Sequence, residues 1–63
     1  MNRIRDLRVA KGLTQAELGR LIGVAQPSID KYESGLIRPS LERSFRLAEV
    51  LECTIQDLRL LDK

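Results

Sequence analysis

Histidine is absent from this sequence of 63 residues, and cysteine occurs only once, at Cys53. A zinc site built from cysteines and histidines therefore cannot form within one chain, and neither can an internal disulfide. Catalysis through histidine is excluded, and a serine, threonine or cysteine nucleophile would need another base. Cys53 lies among apolar residues of helical periodicity, so we predict an inert core thiol rather than a reactive one. The sequence thus predicts no enzyme, no cofactor and no metal site.

Long apolar runs are lacking as well. No stretch approaches 18 apolar residues and no apolar segment follows the basic start, so we expect neither a membrane span nor a signal peptide. A chain of this length has room for one small core, and a roofed active-site cleft is not expected. We therefore predict a single domain over residues 1–63, located in the cytoplasm, that binds no small-molecule ligand.

The net charge is only +2, but the charges are unevenly distributed. Residues 1–20 carry five basic and two acidic side chains, whereas residues 47–63 carry two basic and four acidic ones. A basic N-terminal part suits a polyanionic partner. An ordinary solvated surface accounts for the pattern equally well, so charge alone does not decide between the two.

Hydrophobic periodicity and capping residues predict five short helices and no strand. The segment Thr14-Gln15-Ala16-Glu17 has the pattern of a capping box at the start of the second helix. The third helix is predicted over Gln26 to Glu33, with Pro27 in its first turn, where a missing amide costs nothing. Ser40 and Thr54 are the predicted caps of the fourth and fifth helices.

The same periodicity predicts which side chains face the core. Leu36, in the loop before the fourth helix, is also predicted to fold inward, with Ile37 exposed. The predicted core-facing residues of the helices are Ile4, Leu7, Val9, Ala10, Leu18, Leu21, Ile22, Ile29, Tyr32, Leu41, Phe45, Ala48, Leu51, Ile55, Leu58 and Leu61.

The most informative segment is residues 15–34, in which two short helices follow each other across a tight turn. Gly19 is small enough to allow the helices to cross closely, and Gly23 permits a turn that a side chain would resist. The residues left on the outer face of the second of these helices are small or polar, which suits insertion into the major groove of DNA. These outward residues are Gln26, Pro27, Ser28, Asp30, Lys31 and Ser34.

Several short segments, in their order and spacing, carry a resemblance to a known family. They are Leu13-Thr14-Gln15-Ala16-Glu17-Leu18, Ile22-Gly23-Val24, Ser28-Ile29, Tyr32-Glu33-Ser34-Gly35, Arg38-Pro39-Ser40-Leu41, Leu47-Ala48 and Cys53-Thr54-Ile55-Gln56-Asp57-Leu58. Over about residues 3–61 the chain resembles the Cro/repressor-type helix-turn-helix domain, the lambda-repressor-like or xenobiotic-response-element family. The resemblance implies a compact all-α domain of five helices, with the helix-turn-helix at residues 15–34. It also implies binding to double-stranded operator DNA, usually as a two-fold dimer.

The resemblance implies base-reading roles at the start of the third helix, for Gln26, Pro27, Ser28 and Lys31. Gln26 matches a position where glutamine reads adenine and is steadied by the glutamine that corresponds to Gln15. Pro27 departs from the pattern and would make only apolar contact, for example with a thymine methyl. Lys31 would contact a guanine or a phosphate. Asp30 is expected at the edge of the groove, or as a residue that disfavours wrong sequences.

Contacts to the DNA backbone are implied for a second set of residues, namely Gln15, Ser34, Arg38 and Arg43. The loop from Ser34 to Ser40 usually carries basic residues in relatives, but Leu36 and Ile37 occupy those positions here. Arg38 is the basic residue that remains in this loop, and Arg43 is a candidate replacement contact.

Arg8 and Glu33 match a pair that joins the first helix to the end of the recognition helix. We expect a structural role for this pair, the alternative being direct phosphate contact by Arg8. Glu52 stands where relatives usually have glycine, so the helix before it is expected to end differently.

The C-terminal segment has more leucines than one helix face needs. We predict that it forms a homodimer interface through Leu58, Leu60, Leu61 and Val50, although these residues could instead only cover the core. The predicted function is a sequence-specific transcriptional regulator, a repressor rather than an activator, that binds a pseudo-palindromic operator as a dimer. The alternative is a protein-interaction module, such as an antitoxin or an antagonist, on the same fold.

Overall fold

The computed structural model describes residues 2–60, which form four α-helices and one 3₁₀ helix. The α-helices are α1 (Ile4–Ala10), α2 (Gln15–Ile22), α3 (Gln26–Ser34) and α4 (Leu41–Leu51), and the 3₁₀ helix covers Gln56–Leu58. Residues 2–60 contain no strand, so the predicted all-α class is confirmed. The prediction of five α-helices was wrong by one, because the fifth is a single 3₁₀ turn. No helix in this part of the chain is long and apolar enough to cross a membrane.

The last turn is 3₁₀ because its hydrogen bonds close over three residues rather than four. Thr54 and Asp57 begin it with a reciprocal pair of bonds, from the Thr54 amide to Asp57 Oδ2 at 3.0 Å and from the Asp57 amide to Thr54 Oγ1 at 3.1 Å. The amides of Leu58 and Arg59 then bond to carbonyls three residues earlier. Arg59 has a φ of +56°, a left-handed conformation that cannot continue a right-handed helix.

The starts of α2 and α4 follow from their capping residues. At α2 the Glu17 amide donates to Thr14 Oγ1 at 3.0 Å, and the Thr14 amide donates to Glu17 Oε1 at 2.8 Å, which completes the predicted capping box. At α4 the Arg43 amide donates to Ser40 Oγ at 3.2 Å. Both helices therefore begin where the sequence predicted.

The core lies where the four α-helices and the 3₁₀ helix meet. Half-buried apolar side chains pack around it, Leu7, Val24, Val50 and Cys53 among them. The buried apolar residues are Ile4, Leu18, Ile22, Ile29, Tyr32, Leu47, Ala48, Leu51 and Leu58.

The inner face of α4 differs from the predicted one. Leu41 and Phe45 are 70% and 57% exposed, whereas Ser44 and Leu47 are buried beside Ala48 and Leu51. A serine can occupy this inner face because its hydroxyl donates to the Ser40 carbonyl at 2.8 Å, so burial leaves no polar group unpaired. The predicted inward orientation of Leu41 and Phe45 was therefore wrong.

Four other predicted core residues are also exposed, namely Val9, Ala10, Leu21 and Leu36. Val9 lies two positions after Leu7, which places it on the opposite side of α1. The buried face of α2 consists of Leu18, Gly19 and Ile22, and Leu21 lies to one side of it. Leu36 is 72% exposed in the loop after α3, where its amide bonds to the Lys31 carbonyl at 3.0 Å.

The joint between α2 and α3 depends on two glycines. An ideal Cβ on Gly19 would lie 2.6 Å from the Val24 carbonyl oxygen, so a side chain there cannot fit without movement of the backbone. Gly23 ends α2 with a φ of +82°, a conformation that L side chains disfavour. The Val24 amide then bonds to the Gly19 carbonyl at 2.8 Å, which closes the turn and sets the crossing of the two helices.

Two hydrogen bonds join the first described residues to distant parts of the chain. The Arg3 amide donates to the Leu58 carbonyl at 2.9 Å, and Asn2 Nδ2 donates to the Tyr32 carbonyl at 2.7 Å. These bonds hold the 3₁₀ helix and the end of α3 beside the start of α1.

Helix α4 ends at Glu52 in the way that a glycine would end it. Glu52 has a φ of +57°, and the Cys53 amide bonds to the Ala48 carbonyl at 2.9 Å. The expectation of a different ending was therefore wrong. The Glu52 carboxylate forms an ion pair with Lys11, which ties this left-handed residue to the end of α1.

Candidate nucleic-acid interface

Three of the residues predicted to read bases, Gln26, Pro27 and Ser28, begin α3, and Lys31 lies in its last turn. Gln26, Pro27 and Lys31 are exposed and Ser28 is half-buried. Pro27 fits the first turn of α3, where its missing amide leaves no hydrogen bond unmade. The surface is therefore open to a large partner and presents small or polar groups.

Gln15, at the start of α2, lies between Gln26 and two carboxylates of α3. Its Nε2 donates to Glu33 Oε1 at 3.0 Å and to Asp30 Oδ1 at 3.3 Å. Its Oε1 accepts from Gln26 Nε2 at 3.4 Å. These three contacts form a chain of side-chain amides and carboxylates across the joint between α2 and α3.

The two carboxylates determine which way the Gln15 amide points. A carboxylate only accepts hydrogen bonds, so Asp30 and Glu33 require the NH₂ end of Gln15 to face them. The carbonyl oxygen of Gln15 is then left to face Gln26, which must meet it with its own NH₂ group. Gln26 consequently keeps its carbonyl oxygen and one N–H for a partner outside the protein.

Arg8 fixes the carboxylate on which this arrangement depends. Its Nε donates to Glu33 Oε2 at 2.6 Å and its Nη2 donates to Glu33 Oε1 at 3.3 Å, while Nη1 donates to the Leu13 carbonyl at 2.8 Å. The Arg8 and Glu33 side chains are only 12% and 5% exposed. This bidentate pair joins α1, the turn before α2 and the end of α3, and it leaves little of the Arg8 guanidinium for a phosphate.

Sequence reasoning missed the part that Asp30 plays. Asp30 accepts a hydrogen bond from Gln15, a contact that the sequence reasoning did not assign to it. A signal was available, because residues 26, 30 and 33 lie on one side of a helix at spacings of four and three. It was not recognised because the partner, Gln15, lies on another helix.

The residues predicted to contact the DNA backbone lie at several different places. Gln15 is half-buried in the cluster just described, whereas Arg38 and Arg43 are exposed, in the loop after α3 and in the first turn of α4. The Ser34 hydroxyl donates to the Lys31 carbonyl at 3.2 Å and accepts from the Leu36 amide at 3.3 Å. Ser34 thus has a local role in ending α3.

The exposed arginines Arg38 and Arg43 line two different clefts. Arg38 lines a cleft of about 320 Å³ with Ser34 and Arg59. Arg43 lines another, of about 460 Å³, with Arg46 and Gly23. Arg46 and Arg59 were not among the predicted contacts.

The predicted dimer residues need one correction. Leu58 is fully buried in the core, so it offers no surface to a second copy. Its burial follows from the Arg3–Leu58 hydrogen bond and from the 3₁₀ turn, which direct it inward. Val50 and Leu60 are half-buried against the same core, and Leu61 lies outside the described residues.

The titratable groups with clear shifts belong to the fold rather than to a reaction centre. The Thr14 amide and hydroxyl lower the pKa of the Glu17 carboxyl, and those of Thr54 lower the pKa of Asp57. Burial raises the pKa of the Cys53 thiol, and the nearby Asp57 carboxylate raises it further. Within residues 2–60, no group of three or more histidine, cysteine, aspartate or glutamate side chains could hold a metal ion.

Two short helices crossing at a glycine, with an open polar face at the start of the second, define a DNA-reading helix-turn-helix. Comparison with known proteins agrees, since a helix-turn-helix family profile matches residues 4–58. The chain therefore belongs to the Cro/C1-type helix-turn-helix family of DNA-binding transcriptional regulators.

Similar proteins come from archaea and from a bacterial phage. The chain is 38% identical over 60 residues to an uncharacterised HTH-type transcriptional regulator of Archaeoglobus fulgidus, covering 95% of this chain and 86% of the relative. It is 33% identical over 61 residues to a second such regulator of that organism, covering 97% and 86%. It is also 38% identical over 56 residues to the cryptic phage CTXphi transcriptional repressor RstR of Vibrio cholerae, covering 89% of this chain and 50% of the relative.

Proposed function

We propose that this protein is a sequence-specific transcriptional repressor that binds a pseudo-palindromic operator as a homodimer, with α3 in the major groove. The observation that carries the proposal is the Gln26–Gln15 hydrogen bond at the exposed start of α3, held from behind by Asp30 and Glu33. A side chain that reads a base benefits from being oriented before binding, because less conformational entropy is then lost.

The orientation of Gln26 favours adenine over guanine. In the major groove adenine presents an acceptor at N7 and a donor at N6, whereas guanine presents two acceptors. Gln26 retains one carbonyl oxygen and one free N–H after bonding to Gln15, which matches adenine and not guanine. A bidentate contact of this kind contributes about 1–3 kcal/mol of discrimination against the wrong base.

The neighbouring residues supply further contacts in this proposal. Pro27 packs against a thymine methyl, Ser28 bonds to a base edge, and Lys31 contacts a guanine or a phosphate. The backbone contacts come from Gln15, Ser34, Arg38 and Arg43. Most of the affinity is then electrostatic, and it falls as the salt concentration rises because the release of counterions from the DNA becomes less favourable.

Dimerisation is part of the proposal because a subunit with a net charge of only +2 is expected to bind weakly alone. Two subunits related by a two-fold axis place their α3 helices in half-sites about one helical turn apart. Val50, Leu60 and Leu61 remain the proposed contacts between subunits. Repression is proposed because the similar phage protein is named a transcriptional repressor.

Binding-site selection from random duplexes, at two salt concentrations, tests the proposal. We expect enrichment of a two-fold symmetric site and, by sedimentation, a complex of two subunits per duplex. Gln26→Ala should relax the preference at one base pair in each half-site and leave the others unchanged. Gln56→Ala, which removes the same side chain from the 3₁₀ helix, should leave the selected site unchanged. Uniformly weak binding without enrichment would contradict the proposal.

A protein-interaction module, such as an antitoxin or an antagonist, is the second candidate. The observation that favours it is the exposed apolar surface at Leu41 and Phe45, on the same side of α4. Under this reading, selection yields no enriched DNA site. Under the regulator reading, replacing Phe45 with serine leaves the sequence preference at each base pair unchanged.

A further inference from the structure

A concave surface at the C-terminal end of α3 contains two arginines from distant parts of the sequence. Arg38 comes from the loop between α3 and α4, and Arg59 comes from the residue that ends the 3₁₀ helix. Both are exposed. The cleft has a volume of about 320 Å³, and its full lining is Asn2, Ser34, Gly35, Ile37, Arg38, Pro39, Arg59 and Leu60.

The chemistry of this lining suits an anion. Arg38 and Arg59 both line the cleft, and none of the residues lining it is acidic. The pKa of the Asp57 carboxyl is lowered mainly by hydrogen bonds from Thr54 and to a smaller extent by Arg3 and Arg59. Asp57 accepts from the Thr54 amide and is not part of the cleft lining. A guanidinium binds a phosphate with two parallel N–H bonds, so each arginine can hold one phosphate.

The backbone position of Arg59 is fixed by bonds within the fold. The adjacent Leu58 is fully buried, and its carbonyl accepts from the Arg3 amide at 2.9 Å. Asn2, the neighbour of Arg3, donates to the Tyr32 carbonyl near the end of α3 at 2.7 Å. The segment carrying Arg59 is therefore joined to α3 through the hydrogen bonds of Arg3 and Asn2.

We propose that Arg38 and Arg59 bind two neighbouring phosphates of the DNA backbone at this cleft, which makes Arg59 a DNA-contacting residue. The inference rests on the proposed function, because insertion of α3 into the major groove brings the phosphates that border the groove to the helix end. Arg59 thereby places a second cation beside the loop between α3 and α4, in which the two residues before Arg38, Leu36 and Ile37, are apolar.

The salt dependence of binding tests this assignment. Fluorescence anisotropy would follow binding of the full chain to the selected duplex and to a scrambled duplex at several salt concentrations. Each neutralised phosphate contributes about 0.9 to the slope of log K against log salt. We expect Arg59→Gln to reduce the slope by about one on both duplexes, and the double variant with Arg38→Gln to reduce it by about two.

Three further variants separate contact from structure. Arg5→Gln, on the exposed side of α1, removes the same charge outside the cleft and should change the slope far less. Arg59→Lys keeps the charge and should keep most of the slope. Arg59→Gly relieves the left-handed backbone, so it should fold at least as well as wild type while losing as much slope as Arg59→Gln.

The outcomes distinguish this inference from the function on which it rests. If wild type selects a site but Arg59→Gln and Arg59→Gly behave like Arg5→Gln, the assignment of Arg59 is wrong and the proposed function stands. If wild type binds no duplex, the proposed function fails and the phosphate site fails with it. A slope that falls for Arg59→Gln and Arg59→Gly, but not for Arg59→Lys or Arg5→Gln, supports the site.

Discussion

Replacing Gly19 with alanine tests whether the α2–α3 joint depends on close approach. The added Cβ would lie 2.6 Å from the Val24 carbonyl oxygen, and 3.4 Å and 3.5 Å from atoms of Ile29 and Ala25. The closest of these atoms belongs to the backbone, so the clash cannot be relieved by rotating a side chain. The turn must move instead, and α3 must move with it.

The magnitude comes from two opposing effects. Overpacking a tight contact costs about 1–3 kcal/mol, whereas alanine in place of glycine inside a helix gains about 1 kcal/mol. The clash involves main chain, so we take the upper part of the range and expect a net loss of about 2 kcal/mol. A domain of this size has a free energy of unfolding of about 3–9 kcal/mol, so the loss is a large fraction of it.

Urea denaturation followed by circular dichroism measures this loss, and anisotropy measures DNA binding on the same samples. Gly23→Ala is the matched control, because nothing lies within 4 Å of its added Cβ while its φ of +82° is unfavourable. We expect Gly23→Ala to cost about 1–2 kcal/mol through strain while keeping the sequence preference. Gly19→Ala should lose both stability and the base preference that we propose for Gln26. A Gly19→Ala variant as stable as wild type would refute the reasoning, since helix propensity would then outweigh the contact.

Three other substitutions test particular interactions. Arg8→Met leaves the nearly buried Glu33 carboxylate without its ion-pair partner and should lower the free energy of unfolding by about 3 kcal/mol in urea denaturation. Arg8→Lys should be intermediate because lysine cannot bond in a bidentate manner, and equal stability of all three proteins would contradict this. Glu52→Gly should stabilise the protein at high salt, where the ion pair with Lys11 is screened and the relief of a φ of +57° dominates, and this gain should shrink at low salt. The pKa of Glu17 lies below its ordinary value of 4.5, so the stabilisation that the carboxylate provides is present above pH 4.5 and is lost as the pH falls through the lowered pKa. In thermal melts, Glu17→Gln should therefore lose less stability in acid than wild type does.

The helix starts were predictable because their signals are local. Thr14 and Ser40 each bond to an amide three residues later, and that relation is visible in the sequence. The end of α4 was less predictable, because Glu52 adopts a glycine-like conformation while its carboxylate pairs with a lysine 41 positions away. The sequence shows the residue but not the partner.

The faces of the helices were predicted less well than the helices themselves. Phe45 is more apolar than Ser44, so periodicity alone selected Phe45 for the core. The serine is buried because it can return its hydrogen bond to the helix, which lets geometry override hydrophobicity. The same limit applies to Leu58. The many leucines around it led to its prediction as a dimer contact, but its side chain fills the core.

The candidate site shows a similar division. Gln15, Gln26 and the Arg8–Glu33 pair were named from the resemblance, and the structure places them in contact. The role of Asp30 in orienting Gln15 could not be derived, because it depends on the angle at which α2 crosses α3. The proximity of Arg59 to Arg38 depends on the 3₁₀ turn, which was itself predicted to be a longer helix.

The bond between the Arg3 amide and the Leu58 carbonyl has a consequence for synthesis on the ribosome. Ile4 and Leu58 belong to one core, yet they are 54 positions apart in the chain. A nascent chain can form α2 and α3 early, but it cannot enclose Ile4 until residue 58 has emerged. The protein should therefore acquire its folded DNA-binding surface only after residue 58 has emerged, which leaves the shorter nascent chain open to proteases and chaperones.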